Sequence, residues 1–247
     1  MKTDNWGRLP VSARNVLEPF IDELTAVYGG NILSIFVYGS VTGEDYNPRT
    51  SDINVALVLD DISIEKIKPG LKAIKKARRK RITAPLFLTP PYIKHSLDTF
   101  PMEFLCMRET GLVLAGQDIL RDLGEIKNED LRGECEYQIK GKLLTIRQAY
   151  LEQALDKKGM EGLIKMSFRA LMPVFQSMVK LKSGSFPPDK EDTLRKLADE
   201  FSVDVSSFME ILKDRKTDGR IGNRPAEAFI SDFLVQIEKL AVIVDVL

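Results

Sequence analysis

The sequence predicts an α+β protein: a small mixed β-sheet with flanking helices over residues 1–125, followed by an all-α helical bundle over residues 126–247. Three observations predict it. Short, β-branched apolar runs alternate with helical stripes in the first half. Strand-like runs stop near residue 128, and beyond it apolar residues recur at steps of three and four. Finally, 247 residues at 44% hydrophobic are enough for two domains that need no disulfide or structural zinc.

Taken in order, Leu17, Phe20, Ile21, Leu24, Val27 and Tyr28 mark a first helix, which Gly29-Gly30 should stop. Ile32–Gly39 and Ile53–Asp60 are apolar runs that read as buried strands. Ile64, Ile67, Leu71, Ile74 and Ala77 predict a helix over 63–80, with Pro69-Gly70 weakening its middle. Ala84–Thr89 and Met102–Met107 read as two more strands. In the second half Leu131, Cys135, Ile139, Leu143, Ile146 and Tyr150 form one stripe of a long helix over 129–152. Leu163 to Leu181 form another that Pro173 should kink. Shorter helices are expected over Thr193–Phe201 and Val205–Lys213, and a last one over Pro225–Val246.

Composition removes several chemistries. Thirty-six basic and 36 acidic residues cancel, so the whole molecule is no electrostatic track for long nucleic acid. A single histidine, His95, excludes multi-histidine zinc sites and leaves Ser-His-Asp or Cys-His arrangements one candidate, in a polar proline-rich connection that reads as solvated. Cys106 and Cys135 stand singly in apolar stretches and read as core filling in a reduced compartment. The opening residues lack the apolar core of a signal peptide, and no apolar run is long enough to span a membrane. The expectation is a cytoplasmic protein with no membrane partner.

Chemistry concentrates in Tyr38–Leu59, YGSVTGEDYNPRTSDINVALVL. A strand ends at Gly39-Ser40, where a residue without a side chain admits a phosphate and a hydroxyl can donate to it. The next strand opens with Asp52-Ile53-Asn54, and alternation sends Asp52 and Asn54 to one face. Two oxygen-bearing side chains beside a Gly-Ser turn suit a hard cation held against a triphosphate.

This stretch resembles the signature of the DNA-polymerase-β-like nucleotidyltransferase superfamily, above all its minimal and kanamycin-nucleotidyltransferase-like branches, in which a helical domain follows. The resemblance covers roughly residues 10–120. It implies an Mg²⁺- or Mn²⁺-dependent transfer of NMP from NTP to a hydroxyl acceptor, a small molecule or a protein side chain. It also implies nucleotide binding by Gly39, Ser40 and Ser51, with Asp52 and Glu103 catalytic and Asp52, Asn54 and Glu103 holding the metal. Glu103 enters as the match for a third carboxylate on a later strand. One departure stands out: the motif's second acid is Asn54, whose amide is neutral and a poorer bridge between two ions. The alternative is therefore a catalytically silent nucleotide-binding or protein-interaction module. The nucleotide base, the acceptor and a homo-oligomer are left open.

Two further features read as structural. Lys75–Arg81 packs six positive charges into seven residues and reads as the solvated C-terminal end of a helix. Arg132, Glu136 and Lys140 sit four apart and should pair along one helix face. The alternative there is a helix that lines a cleft, with Lys140 or Arg147 on phosphate.

Overall fold

The computed structural model describes residues 3–153, 157–217 and 226–247. They form two compact units, Met1–Ile126 and Lys127–Leu247.

In the first unit, helix α1 (Val11–Tyr28) ends at Gly29, which takes φ +50° and donates its N–H to the Thr25 carbonyl. Strands β1 (Ile32–Tyr38) and β2 (Asn54–Leu59) follow. The segment expected to be one helix over 63–80 is instead broken at Pro69-Gly70, where the proline has no N–H to continue the helical ladder. Helix α2 (Ile64–Ile67) passes through a 3-10 turn at Lys68–Gly70 into α3 (Leu71–Ala77), and a second 3-10 turn covers Arg78–Lys80. Strand β3 (Leu86–Leu88), helix α4 (Pro90–Lys94), helix α5 (Pro101–Thr110) and strand β4 (Leu112–Gly116) complete the unit.

The sheet order is β3-β2-β1-β4. Strand β1 is antiparallel to both β2 and β4, whereas β2 and β3 run parallel, which makes the sheet mixed as expected. Both faces are covered, so β1 and β2 read as continuous apolar runs rather than alternating ones. On one face Ile35, Val37, Ile53, Val55 and Leu57 pack with Leu17, Ile21 and Leu24 of α1 and Ala73 and Ile74 of α3. On the other, Phe36, Ala56 and Val58 pack with Phe104 and Met107 of α5.

One expectation is overturned here. Met102–Met107 is no strand but the body of α5, and the fourth strand is Leu112–Gly116 instead. Pro101 at the first helical position, followed by the helix formers Met102, Glu103 and Leu105, nucleates a helix. A six-residue apolar run has no period that separates helix from strand by itself.

The second unit is helical throughout its described residues: α6 (Asn128–Gln153), α7 (Lys157–Ser183), α8 (Lys190–Phe201), α9 (Ser206–Thr217) and α10 (Ala226–Ile243). Helix α7 continues through Pro173. Helix α8 starts three residues before the expected Thr193 because Asp189 caps it, accepting the Asp192 N–H at 2.8 Å. Pro225, the expected start of the last helix, lies outside the described residues. The expected pairing along α6 is present, with Glu136 accepting from Arg132 at 2.9 Å and from Lys140 at 2.7 Å. Lys140 also bonds Asp245 at 2.7 Å and Arg147 bonds Glu238 at 2.6 Å, so both cations tie α6 to the C-terminal segment of the same unit. Cys135 is fully buried on α6, and burial first, then the neighbouring Glu134, pushes its thiol up to about 12. Among the described residues no helix is long and apolar enough to cross a membrane.

Candidate functional site

The end of β1 and the start of β2 meet in a corner. Gly39 follows β1 directly and holds φ +79°, a left-handed conformation that glycine adopts without a Cβ penalty. Its N–H donates to Thr110 Oγ1 at 3.1 Å, and its carbonyl accepts from Thr42 Oγ1 at 2.7 Å. The last pair of the β1–β2 ladder is Tyr38 with Asn54, so the Asn54 amide stands over Gly39. A Cβ on Gly39 would lie only 3.2 Å from Asn54 Nδ2. Gly39→Ala is therefore expected to destabilise the first unit by about 1–2 kcal/mol from backbone conformation alone. Chemical denaturation measures this, and a change near zero would show that the corner relaxes freely.

Asn54 faces the α5 side of the sheet, together with Tyr38, Ala56 and Val58, and alternation about the buried Ile53 directs Asp52 to the same side. The chain at residues 81–83 runs alongside them. Ile53 N donates to the Arg81 carbonyl at 2.8 Å, and Thr83 N donates to the Ile53 carbonyl at 3.0 Å. This backbone pairing puts the Arg81 guanidinium 3.3 Å from the Asp52 carboxylate. It also puts the Thr83 hydroxyl 3.4 Å from Asn54 Oδ1. The Asp52–Arg81 pair is half-exposed, so it contributes little to stability and fixes direction rather than fold.

The remaining expected residues divide. Ser40 opens the 3-10 turn Gly39–Thr42, half-buried, and its carbonyl accepts the Gly43 N–H at 3.3 Å. Ser51 builds the preceding loop: its hydroxyl accepts the Asn47 N–H at 3.0 Å, and its own N–H donates to the Asn47 carbonyl at 2.8 Å. Glu103 is exposed in the first turn of α5 rather than on a strand. It shares a helix face with Cys106 and Thr110, which are three and seven residues further on. That face lies against the corner, since Thr110 bonds Gly39. Burial first, then the nearby Cys106 and Glu103, push the Tyr38 phenol up to about 12. Tyr38 thus stays protonated, and available as a donor, through the physiological range.

Sequence reasoning missed three contributors. In the sequence Arg81 is one cation of a basic run, whereas its left-handed φ of 61° turns it out of that run toward Asp52. Thr83 and Thr110 carry no motif signal; only the parallel strand register and the helical assignment of α5 bring them to the corner.

The donor set does not fit the two-ion site that the resemblance implies. Two-ion phosphoryl transfer needs carboxylates that bridge and clamp both cations. Here Asp52 is partnered by a guanidinium and Asn54 is neutral. The segment running beside β2 offers Thr83, Ala84 and Leu86, none of them acidic. Among the described residues, no three His, Cys, Asp or Glu side chains gather as a metal group.

No protein-family model matches the sequence, and no curated protein matches it. In three dimensions the chain is similar to spectinomycin adenyltransferase AAD(9) from Enterococcus faecialis, whose crystal structure contains ATP and spectinomycin. The TM-score is 0.56 at 10% sequence identity, over 91% of this chain and 98% of that one. At this identity the likeness establishes architecture, and it agrees with the small mixed sheet, its flanking helices and the helical region that follows. The chain has the fold of this adenyltransferase.

Proposed function

We propose that this chain binds a nucleoside triphosphate at the corner of Gly39, Ser40, Asp52 and Asn54 without transferring its nucleotidyl group. In this reading it is a nucleotide-binding module built on the nucleotidyltransferase fold. The observation that carries the proposal is the pairing at the start of β2. A glycine with no side chain to obstruct a phosphate stands beneath Asn54, while the neighbouring segment brings the neutral Thr83 hydroxyl, and no carboxylate, to Asn54. Binding geometry is kept and acid chemistry is reduced. The AAD(9) neighbour, solved with ATP, supports a nucleotide as the ligand class. A cytoplasmic setting suits the two free cysteines.

A second reading rests on Glu103. It lies on the α5 face that borders the corner, where it can accept the proton of a hydroxyl as that hydroxyl attacks the α-phosphorus and pyrophosphate leaves. The chain is then a nucleotidyltransferase acting on a small-molecule or protein hydroxyl; Asp52 and Asn54 would hold a single Mg²⁺, which would supply positive charge to offset that of the phosphates. Spectinomycin bound to the neighbour favours a small-molecule acceptor under this reading.

One experiment separates them. The protein is incubated with α-³²P-labelled NTPs, Mg²⁺ or Mn²⁺ and fractionated cell extract, and nucleotide binding is measured in parallel by calorimetry. The expected result is binding without a labelled acceptor. A labelled acceptor that disappears in Glu103→Gln would establish transfer and replace the first reading.

A further inference from the structure

The corner lacks one of the motif's acids yet gains a cation that the motif does not specify. Arg81 is fixed there by backbone. Its carbonyl accepts the Ile53 N–H at 2.8 Å, its own N–H donates to the Arg78 carbonyl at 3.2 Å, and its φ of 61° turns the chain from the 3-10 turn toward β2. Its guanidinium therefore lies beside the motif, 3.3 Å from Asp52 Oδ1 and 3.4 Å from the Thr50 carbonyl. A non-glycine residue at positive φ is uncommon and marks a position where the chain is held to a particular direction.

Charge decides what such a corner binds. A cluster of carboxylates repels a triphosphate until divalent ions intervene. In this chain the single carboxylate at the strand start is offset by the guanidinium beside it, so this pair carries no net charge before any ion arrives. Arginine also presents a planar fork of donors that matches phosphate oxygens and is less strongly hydrated than an ammonium. The Asp52–Arg81 pair is half-exposed, so the guanidinium exchanges one anionic partner for another at small cost.

We propose that Arg81 takes the place of the divalent cation at this corner, so that the chain binds the metal-free nucleoside triphosphate. The inference rests on the nucleotide-binding reading above and specifies the ionic form of its ligand. Asp52 then acts as the resting partner that orients Arg81 in the empty site, and competes with phosphate for it.

The test is calorimetric titration of the full chain with ATP at constant ionic strength, once with EDTA and once with excess Mg²⁺. Binding in EDTA is expected to be at least as tight as in Mg²⁺. Arg81→Gln should weaken the EDTA titration about tenfold or more, the scale of a lost hydrogen bond to a charged group. Arg81→Lys should recover part of it, which excludes misfolding as the cause. Asp52→Asn should tighten binding in EDTA about threefold, because a competing anion is gone. The double variant Arg78→Gln/Arg79→Gln removes twice the charge from the same basic run, and should change affinity less than the single Arg81 variant does. Equal or larger loss there would mean that a diffuse positive field binds the nucleotide, and would overturn the role of Arg81. Binding seen only with Mg²⁺ and abolished by Asp52→Asn would also overturn it while leaving the nucleotide-binding reading intact. No binding under either condition would remove both.

Discussion

The double variant Asn54→Asp/Thr83→Glu is expected to bind Mn²⁺ at least tenfold more tightly than the unaltered chain. Asn54 and Thr83 already touch, hydroxyl to amide oxygen at 3.4 Å, so two carboxylates placed there would converge with Asp52 on one face of the sheet. Oxygen donors with negative charge are what a hard cation selects. Electron paramagnetic resonance of free Mn²⁺ reads the affinity directly. Each single variant should fall well short of the double, because one added acid still leaves the site without its third. If Asn54→Asp alone matched the double variant, the neutral Thr83 would not be what limits cation binding at this corner.

Which parts of this site were legible in the sequence follows from the range of the interactions involved. The Gly-Ser turn and the Asp52-x-Asn54 pair are local: one chain segment specifies a strand end, a turn and a strand start, so residue type and spacing reveal them. Strand alternation likewise predicts a common face for Asp52 and Asn54, and the ladder, which ends at the Tyr38–Asn54 pair, includes Asn54. The position of Glu103 depended instead on telling a short apolar helix from a short apolar strand. Pro101 at the helix start and Gly111 immediately after its end were the available signals, and the apolar run obscured them. Arg81 could not be separated from its basic neighbours by composition. What distinguishes it is a left-handed backbone angle and a hydrogen bond to Ile53, both of which depend on the strand register. The same limit hid β4: LVLAG is only five residues, and it is a strand because β1 lies beside it.

The largest stability effect is expected in the second unit. Phe208 of α9 is fully buried, with ring centroids 5.2 Å from Phe175 of α7, 5.2 Å from Phe233 of α10 and 6.3 Å from Phe168 of α7. It joins three helices through edge-to-face and tilted contacts, geometries that add to the burial energy of aromatic rings. Phe208→Ala should cost about 3–5 kcal/mol, the sum of lost transfer energy and an unfilled cavity. Urea denaturation followed by far-ultraviolet circular dichroism measures it, with Tyr137→Ala as the comparison. Tyr137 is 77% exposed on α6, so its loss should change stability by less than about 0.5 kcal/mol. A Phe208→Ala cost below 1 kcal/mol would mean that the three helices do not depend on this ring for their packing.

Nucleotide binding at the Gly39 corner is tested most directly by a crystal structure grown with ATP. The predicted result is density for the triphosphate against Gly39 and Ser40, with the Arg81 guanidinium moved from Asp52 to a phosphate oxygen. ATP bound at another surface, or a corner that stays empty at saturating ATP, would contradict it.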